Sequence, residues 1–177
     1  QAVIRATTDR DAGVRRTAAE ALGKMQGPRV IETLTSILGD PDSYVREKAV
    51  RGLAASTDPK ATVGLVQALK DENWIAAVAV GGLDRAGWKP ANDAERIAYM
   101  IARQDWMGLR NCGEPCIAPL MEALKTGKGF GKKETVLTAL GVIAHPSSVE
   151  GLVGSLADPS PAARALAVQA LGNIGDR

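Results

Sequence analysis

The sequence predicts an all-α fold, a solenoid of two-helix repeats, from three observations: a step of 31 residues recurs along the chain, apolar residues within each step follow a helical period, and strand-like alternation is absent. Asp9, Asp40 and Asp71 are 31 apart, as are Val14 and Val45, Arg15 and Arg46, Leu22 and Leu53, Leu34 and Leu65, and Leu38 and Leu69. Pro28 and Pro59 keep the step, and so do Pro115 and Pro146. Asp71 to Asp158 spans 87 residues, two periods plus 25, which reads as one repeat with an insertion. The single domain 1–177 therefore divides into a partial repeat 1–8, repeats 9–39, 40–70, 71–125 (insertion about 84–113) and 126–157, and a partial repeat 158–177.

Each repeat reads as a helix A followed by a helix B. Helix A is predicted to open at Asp40-Pro41 or Asp158-Pro159, where Asp caps free N–H groups and Pro suits the first helical position. Its apolar stripe is Val14, Ala18 and Leu22 in the first repeat and Val45, Ala49, Val50 and Leu53 in the second. Gly23, Gly141 and Gly172 directly follow Leu22, Leu140 and Leu171, where a small residue allows close packing or a stop. Helix B is predicted to start at the second proline and to bury Ile31, Leu34 and Leu38; Leu65 and Leu69; Ile117, Leu120 and Leu124; and Val149, Leu152 and Leu156. A pair this short cannot bury its apolar face alone, so successive pairs stack.

Composition narrows the function. The 177 residues are 45% hydrophobic and 24% charged, but only 3% aromatic, so small aliphatic side chains must fill the core. Near-balanced charge, +2 net, argues against disorder and against a strongly basic nucleic-acid binder. No apolar run approaches the roughly 18 to 20 residues of a membrane span. One histidine and two cysteines leave little material for metal or catalytic sites, and no cofactor is expected. Gln1 stands where a Met would and no leader follows, so the chain reads as processed or excised, with a cytoplasmic location favoured.

The string Asp-Pro, Val-Arg, a central Ala, Ala-Leu-Gly, a Pro-containing turn and a Leu-rich second helix resembles the HEAT-like repeat of the phycobilisome-lyase type. The resemblance rests on Val14-Arg15 through Ala21-Leu22-Gly23, Asp40-Pro41 through Val45-Arg46, and Asp158-Pro159 through Ala170-Leu171-Gly172. It implies a right-handed α-α superhelix used chiefly as a binding scaffold. Ankyrin and tetratricopeptide signatures are missing. Arg15, Arg46 and Arg164 each lie six residues after an Asp, which reads as a polar ladder between repeats; Ala77 breaks it in the third repeat, and Gly127 and Lys133 occupy its columns in the fourth.

The insertion is expected to hold a helix capped by Asn92 or Asp93 and a second segment opened by Asp105, with Trp88 and Trp106 packing it against the third and fourth repeats. The loop from Gly127 to Lys133 lacks the spacing and the Ser or Thr of a phosphate loop. His145 is a turn residue before Pro146, and without His-Glu pairs the iron-dependent hydroxylases of similar architecture are excluded. Cys112 and Cys116 are read as reduced thiols, with a local disulfide the alternative.

The expected function is that of a non-enzymatic protein-binding scaffold with a protein partner. Recognition is assigned to the insertion and to the exposed helix-B row: Glu32, Thr33, Ser36, Gln67, Glu122 and Glu150, with Val63, Gly64, Ala118, Pro119, Gly151 and Gly154 in the same register. No catalytic, cofactor or metal residues are assigned, and nucleic acid is disfavoured because the row carries no Arg-rich track. The resemblance implies an alternative, a bilin-chromophore lyase subunit, and a lesser one, a HEAT-like DNA glycosylase. Gln1 falls in the column of Glu32 and Arg177 in that of Pro59, both inside a repeat. The last helix is apolar on more than one side through Ala165, Leu166, Val168, Ala170, Leu171 and Ile174. It is expected to meet further repeats of a longer chain or another copy.

Overall fold

The computed structural model describes residues 1–127 and 130–175. Among them are twelve α-helices, three single 3-10 turns and no strand. They form two compact units, residues 1–89 and 90–177.

The first unit contains α1 (Ala2–Ala6), α2 (Ala12–Gly23), α3 (Pro28–Ile37), α4 (Ser43–Ala55), α5 (Ala61–Ala68) and α6 (Asn73–Arg85). Helices α2, α4 and α6 form one row, and α3 lies beside α5 in a second. The core between the rows is Ala19, Leu22, Leu34, Val45, Ala49, Val50, Leu53, Leu65, Ile75 and Leu83, all essentially inaccessible. The second unit contains α7 (Asp93–Ala102), α8 (Trp106–Cys112), α9 (Ile117–Thr126), α10 (Lys133–Ile143), α11 (Val149–Gly154) and α12 (Pro161–Gly175). Here α8, α10 and α12 form a row and α9 lies beside α11, over a core of Leu109, Leu120, Leu137, Leu140 and Leu152. Both units are stacks of helix pairs, the all-α solenoid class the period predicts.

Small residues let the row helices touch. A Cβ placed on Gly52 of α4 would meet the Gly23 Cα of α2 at 2.8 Å and Leu34 at 3.0 Å. A Cβ on Gly141 of α10 would meet the Ala170 Cβ of α12 at 3.1 Å. Backbones this close replace the missing aromatic volume by direct van der Waals contact.

The polar ladder is present. Arg15 Nε and Nη2 donate to the two Asp40 carboxylate oxygens at 2.7 and 3.0 Å, and Arg46 does the same to Asp71 at 2.8 and 2.8 Å. The remaining nitrogen of each fork turns back onto its own repeat: Arg15 Nη1 donates to the Asp9 and Arg10 carbonyls, and Arg46 Nη1 to those of Asp40 and Pro41. Each guanidinium thus ties the start of its own helix A to the start of the next. In the second unit Lys133, in the arginine column, reaches Asp158 at 2.5 Å.

Several boundaries differ from expectation. The ladder aspartates do not cap helix A. Asp9, Asp40 and Asp158 accept the N–H two residues on. The caps are Asp11, Asp42 and Ser160, whose oxygens accept from Val14, Val45 and Ala163. The Asp40 carboxylate is thereby left facing Arg15, and that of Asp158 facing Lys133. Only Pro28 opens a helix B; Pro59 lies before α5, and Pro115 and Pro146 lie in 3-10 turns before α9 and α11. Helix α11 closes in another 3-10 turn after Gly154, so of its expected apolar face Leu152 is buried while Val149 and Leu156 are exposed. Val14 is 41% exposed where Val45 is fully buried, because α4 lies between α2 and α6, whereas the other flank of α2 meets only the five-residue α1.

The segment of about 84–113, expected to be an insertion, comprises the end of α6, then α7 and α8. Asn92 caps α7 by accepting from Glu95 N–H, Glu95 returns to the Ala91 N–H, and Asp105 caps α8 by accepting from Gly108 N–H. Helix α8 lies beside α10 as α10 lies beside α12.

Two predictions follow from the packing and the ladder. Replacing Gly52 by Ala gains about 1 kcal/mol of helix propensity but forces two backbones apart, so the variant should be net destabilised by about 1–2 kcal/mol. Gly172→Ala in α12, where no atom lies within 4 Å of the added Cβ, should instead stabilise by about 0.5–1 kcal/mol; denaturant melts compare the two. Hydrogen bonding from Arg15 holds the Asp40 carboxyl below its ordinary 3.8, and Lys133 does the same for Asp158. Because these carboxyls hold protons less tightly when folded, their contribution is complete above the ordinary carboxylate range and lost as pH falls through it. The melting temperature should stay level from pH 7 to about 5 and drop below about 4, with a shallower acid limb in Asp40→Asn.

Candidate helix-B surfaces

Helices α3 and α5 position four of the assigned residues. The buried faces of these helices, Ile31, Leu34 and Ile37 on α3 and Leu65 and Ala68 on α5, oblige Glu32, Ser36 and Gln67 to face outward, and all three are exposed. Thr33 is half-buried; its Oγ1 donates to the Arg29 carbonyl at 2.7 Å, and Ser36 Oγ donates to the Thr33 carbonyl at 2.8 Å. Their donors are consumed, leaving acceptor capacity outward. Val63 stands 69% exposed beside Gln67, making the patch an apolar spot with an acidic and amide rim.

In the second unit Glu122 on α9 and Glu150 on α11 are exposed on adjacent helices. Val153, half exposed on α11, adds an apolar element that the register does not assign. Gly64 and Gly151, expected on the exposed row, are not surface elements. A Cβ on Gly64 would meet Leu53 at 2.7 Å and Thr35 at 3.0 Å, and one on Gly151 would meet Met121 Cε at 2.2 Å. They are seams where neighbouring helices approach. Pro119 is half-buried, while Ala118 and Gly154 are exposed.

Trp88 and Trp106 are each half-buried and lie in different units. Trp88 borders a cavity of about 780 Å³ with Leu53, Leu65 and Arg85. Trp106 borders a cleft of about 530 Å³ with Met107, Arg110 and Val142. Cys112 and Cys116 form a disulfide with Cα atoms 5.9 Å apart, correcting the reduced-thiol reading. The chain reverses at Gly113, φ +61°, between α8 and the 3-10 turn of residues 114–116, and this brings the sulfurs together. His145 is the turn residue expected: its Nδ1 accepts from Ser147 N–H at 3.3 Å. Lys128 and Gly129 of the glycine-rich loop lie outside the described residues. Among the described residues no cluster of three or more His, Cys, Asp or Glu could hold a metal ion, and no helix is long and apolar enough to cross a membrane.

One feature of the helix-A row escaped the sequence reading. Tyr44 at the start of α4 and Trp74 at the start of α6 are 57% and 41% exposed, with ring centroids 5.6 Å apart. The Arg16 guanidinium sits 5.4 Å above the Tyr44 ring, and Trp74 Nε1 donates to Glu72 at 2.9 Å. Arg, Tyr and Trp are the residue types that dominate binding energy at protein interfaces.

The HEAT repeats family matches residues 1–83. The chain is 27% identical over 170 residues to the phycocyanobilin lyase subunit alpha of Nostoc sp. strain PCC 7120, covering 83% of this chain and 60% of that one. It thus spans about three fifths of that relative's length. Among solved structures, human deoxyhypusine hydroxylase aligns with 99% of this chain and 84% of its own at 20% identity and TM-score 0.41. An engineered protein aligns with 99% of this chain and 98% of its own at 18% identity and TM-score 0.43. With the 31-residue period, the Asp and Arg ladder and the paired helices, residues 1–83 match HEAT repeats and the chain as a whole resembles a HEAT-like repeat protein of the phycobilisome-lyase type.

Proposed function

We propose that the chain is a non-enzymatic scaffold that binds a protein partner through its helix-B surfaces, Glu32, Thr33, Ser36 and Gln67 in the first unit and Glu122 and Glu150 in the second. The observation that carries this reading is the pairing of α3 with α5. Their inner faces are fully used in the core, while the outer faces present an exposed valine, Val63, rimmed by Glu32, Ser36 and Gln67. An apolar centre inside a polar rim is the usual anatomy of a recognition surface. The carboxylates favour a partner segment carrying lysine or arginine.

The similarity to a lyase subunit supports a second reading, a subunit that delivers a bilin chromophore to a phycobiliprotein. Incubation with phycocyanobilin and an unmodified phycocyanin subunit separates the two: a covalent coloured adduct belongs to the lyase reading alone.

For the scaffold, the triple charge reversal Glu32→Lys, Glu122→Lys, Glu150→Lys should weaken binding of the captured partner by about tenfold or more and shift stability by no more than about 0.5 kcal/mol per site. Tyr44→Ala with Trp74→Ala is the comparison. If it abolishes binding while the triple reversal leaves it intact, recognition belongs to the helix-A row and the helix-B assignment is wrong.

A further inference from the structure

The disulfide between Cys112 and Cys116 lies in the second unit, where α7, α8 and the 3-10 turn before α9 come together. It closes only the short loop of residues 112–116, and short loops gain least from a cross-link. The turn is also held without it. Cys116 N–H donates to the Gly113 carbonyl at 3.1 Å, and Leu109 before the bond and Ile117 and Leu120 after it are buried.

The two sulfurs are unequally placed. Cys116 is fully buried, whereas Cys112 is half-buried and partly open to solvent. Arg96 of α7 lies against Cys112, with its Nη2 3.5 Å from Sγ. That nitrogen also pairs with Asp93 Oδ1 at 2.8 Å. Arg96 Nε, on the same edge of the guanidinium, is the one buried side-chain nitrogen or oxygen that lacks a hydrogen-bond partner among the described residues. A disulfide sulfur is a weak acceptor and leaves this donor unused at a cost; a thiolate at Cys112 would take it. A cation beside a cysteine favours its thiolate. The guanidinium is therefore placed for the reduced pair rather than for the oxidised one.

We infer that Cys112–Cys116 is a thiol–disulfide exchange site that takes a dithiol as its substrate class, with Cys112 the attacked sulfur and Arg96 the group that receives its thiolate. One thiolate of the dithiol attacks the accessible Cys112 Sγ. The Cys112–Cys116 bond breaks, and Cys116 leaves with the electron pair and takes up a proton. The second thiolate of the dithiol then attacks its own sulfur in the mixed disulfide and expels Cys112 as the thiolate. The protein pair gains two electrons and the dithiol becomes a disulfide; of the two protons it gives up, one goes to Cys116 and one to solvent. The turn keeps Cys116 beside Cys112, so Cys116 would close a mixed disulfide made by a monothiol again, whereas a dithiol completes the reduction itself. The site uses none of the helix-B surface residues and stands apart from the proposed function.

Exchange on the folded 177-residue chain at pH 7, quenched by alkylation and read by mass spectrometry, tests this. Dithiothreitol should reduce the pair while the circular dichroism stays that of the folded chain. In Cys116→Ser, oxidised glutathione should modify Cys112; in Cys112→Ser, Cys116 should resist it until denaturant is added. In glutathione buffers Arg96→Met should shift the equilibrium toward the disulfide by about three- to tenfold, about 15–30 mV, and Arg96→Lys by less. Asp93→Asn, which frees Nη2 from its carboxylate, should shift it the other way. The inference is overturned if reduction requires denaturant, if Cys116 reacts in the folded chain as fast as Cys112, or if Arg96→Met leaves the equilibrium within about twofold of wild type. Should Arg96→Met lose the wild-type circular dichroism, the Asp93→Asn shift decides in its place.

Discussion

The stacking of the first unit depends on one interaction, the bidentate hydrogen bonding of an arginine in one repeat to the aspartate that opens the next. Apolar burial is nondirectional, and here it is distributed over alanines, valines and leucines that would tolerate sliding. A planar guanidinium on a carboxylate tolerates much less. Arg46 uses its remaining nitrogen to hold the Asp40 and Pro41 carbonyls, so the donor is itself fixed. The close passage of Gly52 over Gly23 works only in the register the ladder sets, since a shift along the helix axis would bring Leu22 or Leu53 into the crossing. Small residues and ladder are two halves of one device: the first permits contact, the second says where.

Most of the fold was legible because each repeat solves the same packing problem with the same residue types. The ladder could be read from Arg15, Arg46 and their aspartates because its two partners recur at a fixed offset. What escaped is what breaks the period. The caps fall on Asp11, Asp42 and Ser160, because each ladder aspartate spends an oxygen on the N–H two residues on, in a tight turn, leaving the helix N–H groups to the residue two further on. Lys133 keeps the ladder in the second unit without keeping the letter, since Asp158 needs a cation and not specifically a fork. The disulfide depends on the left-handed backbone at Gly113, which a four-residue spacing does not announce.

The surfaces divide in the same way. Outward-facing residues of helix B follow from which side of each helix is buried, so Glu32, Ser36, Gln67, Glu122 and Glu150 could be placed by register. Gly64 and Gly151 could not, because a glycine in such a column is as compatible with a seam as with an exposed position, and only the Leu53 and Met121 side chains decide. The Arg16, Tyr44 and Trp74 cluster had no periodic signature. Its rings stand 30 residues apart rather than 31 and meet because consecutive row helices begin side by side.

A double-mutant cycle on Arg46 and Asp71, using Arg46→Met, Asp71→Asn and the combination in equilibrium denaturation, tests most directly whether the ladder couples neighbouring repeats. The two side chains are about 15% and 13% exposed, so screening leaves a measurable pair term. The coupling energy should exceed about 1 kcal/mol, with each single variant losing most of what the double variant loses. Losses that simply add, within about 0.3–0.5 kcal/mol, would contradict the account and assign the stacking to apolar contact alone.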